Sequence, residues 1–472
     1  MNRPIRAVAV VSMLMTIALM ANLSVSYLVQ SDYFYNRPEN RRVTDARFGQ
    51  DRGPIMVGNT PIARSTAVSD QYKFLRTYPS GELYAPVTGY YSYLYGASAL
   101  EQSESAVLAG QDDSQFLSRL INLASGARPK GGTVETTLDA KAQKAAWNAL
   151  AGRKGAVVAV DYTTGAIKVM VTTPSFDPNQ LATHDLSAST AAWKKLNSDP
   201  SKPMSNRATR EIYPPGSTFK LVTAATALEN GMTSSDPISG SAYKLPGSTK
   251  VIRGCAGGDI TLTQALKVSC NPAFARLGVK VGQDALRAQA EKFGFDSKFL
   301  QSEIGSAASV FPAELDDAQT AMSAIGEYEV AATPLQMAMV SAAIANNGVQ
   351  MEPYLVDQVL DSDLRVVSKT TPKQRAQSIS ATTAAELQKM MVQVVEGGTG
   401  HRAQIPGVTV GGKTGTANSD NVRRPYAWFT AWADNPHVAV CVFVEDAEIP
   451  STEIAGGRVS APIAKAVIEA LR

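Results

Sequence analysis

The chain's apolar positions begin as one block and then break into short periodic runs. From Ala7 to Val29 no charged residue interrupts 23 positions. Wound as a helix at about 1.5 Å per residue, that block reaches roughly 34 Å, enough to cross a hydrocarbon core of about 30 Å. Residues 31 to 132 are mixed, rich in Tyr, Arg and Ser, and show no strong helical period. Within them residues 52–63 read as two short strands around a turn, and residues 96–101 lead into a helix ending near Gly110. Gly and Pro gather at 124–132, which predicts a linker and a domain boundary.

From residue 133 the pattern sharpens. An alternating strand over 133–138 precedes a helix over 140–150. Two apolar runs, 155–161 and 166–171, flank Tyr162-Thr-Thr-Gly165 and predict a hairpin. In Tyr213-Pro-Pro-Gly-Ser-Thr-Phe-Lys220 the two prolines and the glycine disfavour a helix running through them, so a helix is expected to start at Ser217 and run to Gly231. Its Phe219, Leu221, Val222 and Leu228 spread widely around the axis, as in an element buried on most sides. A further helix is expected from Asp259, with aspartate or threonine as its cap, leading into Val268-Ser-Cys-Asn-Pro272. Helices follow around 284–293, over 334–345 with Gly348 ending it, and over 382–396, broken by Gly397-Gly-Thr-Gly400. The end of the chain reads as strands at 408–415, 427–433 and 438–445, then a helix over 462–471. A strand pair, a helical middle, three strands and a last helix predict one sheet assembled from both ends of a domain, with helices on its faces, in the α/β (α+β) class.

Composition narrows this picture. The 472 residues suffice for two or three domains with a large core. A net charge of +3 with 18% charged residues implies neither a nucleic-acid surface nor disorder. His184, His401 and His437 lie far apart, and the sequence has no zinc-type cysteine cluster, phosphate loop or Rossmann fingerprint, so neither a metal nor another cofactor is expected. Arg3 and Arg6 precede the apolar block and place the amino terminus in the cytoplasm, with everything after Gln30 outside. A cleaved signal peptide is the competing reading, but the block is long and no Ala-x-Ala site follows it. Three cysteines suit an oxidising compartment. Cys255 and Cys270 would close a loop of about 15 residues, worth roughly 3 kcal/mol by chain entropy, although pairing itself is not readable from sequence. Cys441 sits in an apolar run as a core residue.

The chemistry concentrates in three short motifs. Ser217 and Lys220 stand three apart, neighbours on one helical face. A serine hydroxyl needs a base, and a lysine kept neutral by burial can serve. Ser269-Cys-Asn271 offers a hydroxyl to relay a proton and an amide to hold a peptide group. Lys413-Thr-Gly-Thr416 ends a strand where Gly415 permits close backbone approach, and its lysine and hydroxyls suit a carboxylate. Each motif alone is commonplace.

Together, in this order, they resemble the active-site serine transpeptidases called penicillin-binding proteins. Residues 213–220 and 411–417, residues 155–178 with Pro174-Ser-Phe-Asp-Pro178, and Thr333-Pro-Leu-Gln-Met337 all look like family segments. Arg52-Gly53, Tyr78-Pro79 and residues 96–101 resemble the amino-terminal region of the class B branch. The compact size, single anchor and lack of further carboxy-terminal modules look most like an actinobacterial branch of it. The resemblance implies a penicillin-binding/β-lactamase-like transpeptidase domain at 133–472, with a central antiparallel sheet between helices. It also implies a non-catalytic dimerisation or pedestal-like domain and linker at 31–132 and a transmembrane anchor at 1–30. Ser217 would attack the D-Ala-D-Ala amide of a peptidoglycan stem peptide, with Lys220 as base, Ser269 relaying the proton and Asn271 orienting Lys220 and substrate. Lys413, Thr414, Gly415 and Thr416 would bind the terminal carboxylate or frame its site. A β-lactam would trap Ser217, and division or elongation proteins would be partners. Where the family often has Gly-Gln-Gly, this chain has Gly326-Glu-Tyr328. A carboxypeptidase or β-lactamase would share the three motifs, and a penicillin sensor or division scaffold is the reading from another class.

Overall fold

The computed structural model describes residues 3–28, 45, 48–112, 130–417, 425–447 and 454–472. The expected linker lies outside these up to residue 129. The apolar block forms one helix, Arg3–Leu28, long and apolar enough to cross a membrane.

The catalytic-type half is built on a five-stranded sheet. Its strands are β1 (Lys154–Asp161), β2 (Ile167–Thr173), β3 (Val410–Ala417), β4 (Tyr426–Asp434) and β5 (His437–Asp446). Their spatial order is β3-β4-β5-β1-β2, and every neighbouring pair is antiparallel. Both ends of the domain therefore meet in one sheet, as the order of the apolar runs predicts. β1, β4 and β5 read as nearly unbroken apolar runs because both faces are covered. Alternation sends Val157 and Ala159 toward one core with Ala142, Ala146, Val467 and Ile468, from the helices Ala140–Leu150 and Gly456–Ala470. Ala156, Val158 and Val160 enter a second core with Leu221, Val222, Met337 and Val340. That core holds the helix Pro334–Ala345, capped by Thr333, whose hydroxyl accepts the Gln336 N–H. Gly348, at φ +86°, turns the chain after it.

A six-stranded sheet joins distant parts of the sequence. Ile55–Val57 and Thr60–Ala67 form the antiparallel pair expected at 52–63, and Phe74–Thr77 adds an edge strand. Thr133–Thr136 pairs in parallel with Ile55–Val57 on one side and antiparallel with Val356–Leu360 on the other. Beside this sheet Arg52 and Arg76 meet Glu101 at 2.9 and 2.6 Å, and the Tyr78 hydroxyl donates to it at 3.1 Å, all fully enclosed. The helix expected toward Gly110 is two short pieces, Ala99–Ser103 and Ser105–Leu108, interrupted at Glu104.

Two local expectations are corrected. Asp259–Thr261 is a strand, because it pairs with Pro237–Ser239; the helix starts at Leu262, with Thr261 accepting from the Gln264 N–H as cap. The regular α-helix after the prolines starts at Lys220 rather than Ser217.

Candidate active site

Ser217 lies in a 3-10 turn, Gly216–Phe219, that leads into the α-helix Lys220–Glu229. The tertiary setting tightens this turn. Gly216 has φ +51°, a conformation that suits glycine, and a side chain on it would press the Thr416 carbonyl of β3 at 3.0 Å. Its N–H donates to the Gly326 carbonyl at 3.0 Å. The Pro215 carbonyl accepts the Thr218 hydroxyl at 2.7 Å. The Lys220 N–H donates to the Ser217 carbonyl, an i→i+3 bond that keeps the two residues on one face of the turn. Ser217 is half-buried, while Lys220 is wholly enclosed.

The Lys220 Nζ donates to the Ser269 carbonyl at 2.8 Å, the Asn271 Oδ1 at 2.6 Å and the Ser269 Oγ at 3.3 Å. Burial, then the like charge of Lys413, push its amine well below the ordinary lysine range; the negative charge of Glu327 opposes them. Ser269 occupies a left-handed conformation, φ +57°, between the helices Leu262–Lys267 and Asn271–Val281. Its neighbour Cys270 is bonded to Cys255, with the Cα atoms 5.5 Å apart. Asn271 opens the second helix and so presents its amide beside that corner.

Lys413 comes from the edge strand β3. Its Nζ donates to the Ser269 Oγ at 2.9 Å and the Thr414 carbonyl at 2.8 Å, and burial lowers its pKa to about 7. One hydroxyl, Ser269, thus touches both buried ammonium-bearing side chains. Gly415 lets β3 approach the serine turn: a Cβ there would stand 2.9 Å from the Pro215 carbonyl. Thr414 is buried, with its hydroxyl 2.7 Å from that of Thr399, whereas Thr416 is exposed. The fold therefore brings Ser217, Lys220, Ser269, Asn271 and the Lys413–Thr416 stretch around one point.

Two residues of this neighbourhood escaped the sequence reading. Thr399 lies in the glycine-rich stretch read only as a helix breaker, and Glu327 lies in the segment noted as a departure from the family. At that departure Tyr328 has φ +62°, where the glycine common in the family would be unstrained.

The model for the penicillin binding protein transpeptidase domain matches residues 155–469, and that for the penicillin binding protein A dimerisation domain matches residues 52–134. The peptidoglycan D,D-transpeptidase PbpA of Mycolicibacterium smegmatis is 40% identical over 100% of this chain and 99% of its own. Penicillin-binding protein A from M. tuberculosis, solved as a ceftriaxone acyl-enzyme complex, superposes with TM-score 0.87 at 39% identity, covering 90% of this chain and 99% of that one. Its penicillin G acyl-enzyme complex superposes at 0.85 with 40% identity, covering 89% and 99%. The chain belongs to the penicillin-binding protein transpeptidase family, and within it to the peptidoglycan D,D-transpeptidases.

Proposed function

We propose that Ser217 is the nucleophile that takes the acyl group of a D-Ala-D-Ala stem peptide and releases the terminal D-Ala. The observation that carries this reading is the Ser269 hydroxyl, 3.3 Å from Lys220 and 2.9 Å from Lys413, beside the serine turn. Lys220, held toward its neutral form by burial, removes the Ser217 proton as the serine oxygen attacks the amide carbon. Ser269 passes that proton to the departing amine, and Asn271 keeps Lys220 in place. The backbone N–H groups of Ser217 and Thr416 face the oxyanion, each worth about 2.7–4 kcal/mol in comparable sites. Lys413 and the exposed Thr416 receive the substrate carboxylate, with Thr414 anchored by Thr399 behind them. An amine of a second stem peptide then attacks the acyl-enzyme and forms the cross-link.

The amino-terminal helix serves as a single anchor with Arg3 and Arg6 on the cytoplasmic side, so the catalytic half works outside the cell. Residues 31–132 support and position the transpeptidase half, which starts at 133, and are the natural contact for division or elongation proteins. Labelling the full chain with a fluorescent penicillin and mapping the tagged peptide tests the assignment. The label is expected on the peptide containing Ser217 and is lost in Ser217→Ala. Labelling of another residue, or undiminished labelling of the variant, refutes it.

A further inference from the structure

Between the serine helix and Ser269 the chain makes a small hairpin that the reaction described above does not use. Tyr243–Lys244 pairs antiparallel with Val251–Ile252, Tyr243 opposite Ile252 and Lys244 opposite Val251. Directly opposed residues share a face, and successive ones alternate. Tyr243 and Ile252 turn inward, where they pack with buried Leu245 on the core that holds Leu221 and Val222. Lys244 and Val251 stand on the outer face, Lys244 exposed and Val251 57% exposed. Lys250 and Arg253 beside them are exposed as well. The stretch 237–258 contains these three cations and no Asp or Glu. Among the described residues, none of the three side chains has an ion pair or a hydrogen bond.

The hairpin is fixed to the reaction centre at two points. Cys255, just past Arg253, is bonded to Cys270, the neighbour of Ser269. Arg276, on the helix that Asn271 opens, donates to the carbonyls of Ser239 at 3.2 Å, Ser241 at 2.8 Å and Ala242 at 2.9 Å. Its guanidinium also lies over the Tyr243 ring, 4.5 Å from the centroid. An unpartnered cationic face is thereby held beside the elements that carry Ser269 and Asn271.

We propose that this outer face binds an uncross-linked peptidoglycan strand through the carboxylates of its peptide stems; this rests on the reading of Ser217 as the residue acylated by D-Ala-D-Ala. Every unreacted stem of that kind ends in a free carboxylate, so a strand of them is a polyanion. Lys413 receives only the carboxylate of the stem that reacts. Those of neighbouring stems fall to Lys244, Lys250 and Arg253, by charge complementarity with a face that has no acidic residue of its own. Holding the strand beside Ser217 raises the effective concentration of each following stem. Transfer releases the terminal D-Ala with its carboxylate and leaves an amide in its place, so a cross-linked strand carries less charge and is held more weakly.

The test measures binding of the full-length Ser217→Ala chain, in detergent, to soluble fluorescent glycan strands whose stems end in D-Ala-D-Ala, so that no turnover intervenes. Adding Lys244→Gln, Lys250→Gln and Arg253→Gln together is expected to weaken binding about tenfold, as for three exposed charge contacts, and to flatten its dependence on salt. In the chain that keeps Ser217, the same triple change leaves the rate of acylation by a fluorescent penicillin in place, which shows the site intact. Strands whose stem carboxylates are amidated bind equally with and without the triple change. Lys141→Gln, Lys144→Gln and Lys194→Gln together remove the same charge from other exposed positions and leave strand binding unchanged. Undiminished strand binding in the hairpin variant overturns the proposal, and so does an equal loss in the control variant. Binding by the parent chain that does not weaken as salt is raised overturns it independently of any hairpin variant. A hairpin variant that loses binding to vesicles of anionic phospholipid but not to strands assigns the face to a membrane and overturns it too. If the penicillin labels a residue other than Ser217, the reading of the nucleophile fails instead.

Discussion

Replacing Gly326 by alanine isolates the contact that positions Ser217, the proposed nucleophile. Gly326 has φ +77°, so alanine there carries about 1–2 kcal/mol of left-handed strain. Its Cβ would stand 2.0 Å from the Gly216 oxygen, 2.7 Å from the Gly216 carbonyl carbon and 2.9 Å from the Gly216 nitrogen. These are backbone atoms, which no rotamer change moves aside. Restoring ordinary contact, which begins at 3.4 Å, needs a displacement of about 1.4 Å. That shift breaks the Gly216 N–H hydrogen bond, a further loss of about 0.5–1.5 kcal/mol. The turn that moves holds Ser217, and a misplacement of about 1 Å can cost a reaction about a hundredfold. Gly326→Ala should therefore lose about 2–3 kcal/mol of stability and about a hundredfold in the rate of acylation by a fluorescent penicillin. Gly231→Ala is the control: φ is +87° there, but no atom lies within 4 Å of the added carbon. It should lose only about 1 kcal/mol and acylate at the wild-type rate. Both variants are read by stopped-flow acylation and by thermal unfolding. Acylation by Gly326→Ala within threefold of wild type would refute the claim that this clamp sets the position of Ser217.

Three further outcomes follow from the buried charges. In the proposed mechanism Lys220 is neutral to accept a proton and Lys413 charged to attract a carboxylate, so the free enzyme's kcat/KM for acylation should rise with pH through the lowered Lys220 pKa and fall again near pH 7 as Lys413 loses its proton. A profile that is flat from about pH 6 to 9 contradicts this assignment. The same two lysines bind protons more readily when unfolded, so stability should increase as pH rises from about 7 toward the unfolded lysine value of about 10.4, a trend measurable by urea unfolding. Glu101→Ala removes the shared partner of Arg52 and Arg76, both buried, and should destabilise by about 3–5 kcal/mol in denaturant titrations. A loss under about 1 kcal/mol would mean that water reaches the arginines.

Burial and periodicity explain which elements could be read from the chain. Val157 and Val158 point to opposite faces yet both enter a core, so β1 announced itself as an unbroken apolar run beside a tight turn. Asp259–Thr261 gave no such signal: its strand character comes from Pro237–Ser239, more than twenty positions upstream, whereas the Thr261 cap of the next helix is local and was legible. The strands at 52–63 and 133–138 were legible one by one, but the sheet that joins them to 356–369 was hidden, because its partners lie far apart in the chain. The 3-10 form of the serine turn depends on Gly326 and β3, and neither is a neighbour in sequence.

The site divides along the same line. Ser217, Lys220, Ser269, Asn271 and the Lys413–Thr416 stretch were legible because each sits in a short motif whose order resembles a known family. What those motifs do not contain is the quantity the proposed mechanism needs, the lowered proton affinity of two buried lysines. That quantity is tertiary. Lys220 comes from the serine helix and Lys413 from an edge strand almost two hundred residues on, and they meet only through the hydroxyl of Ser269 on a third element. Glu327 follows the same logic. Its position in the chain says nothing, but in the fold its negative charge falls within reach of Lys220 and opposes the burial that lowers that amine. A motif names the reacting atoms, while the residues that tune them are found through the contacts that hold the motif still.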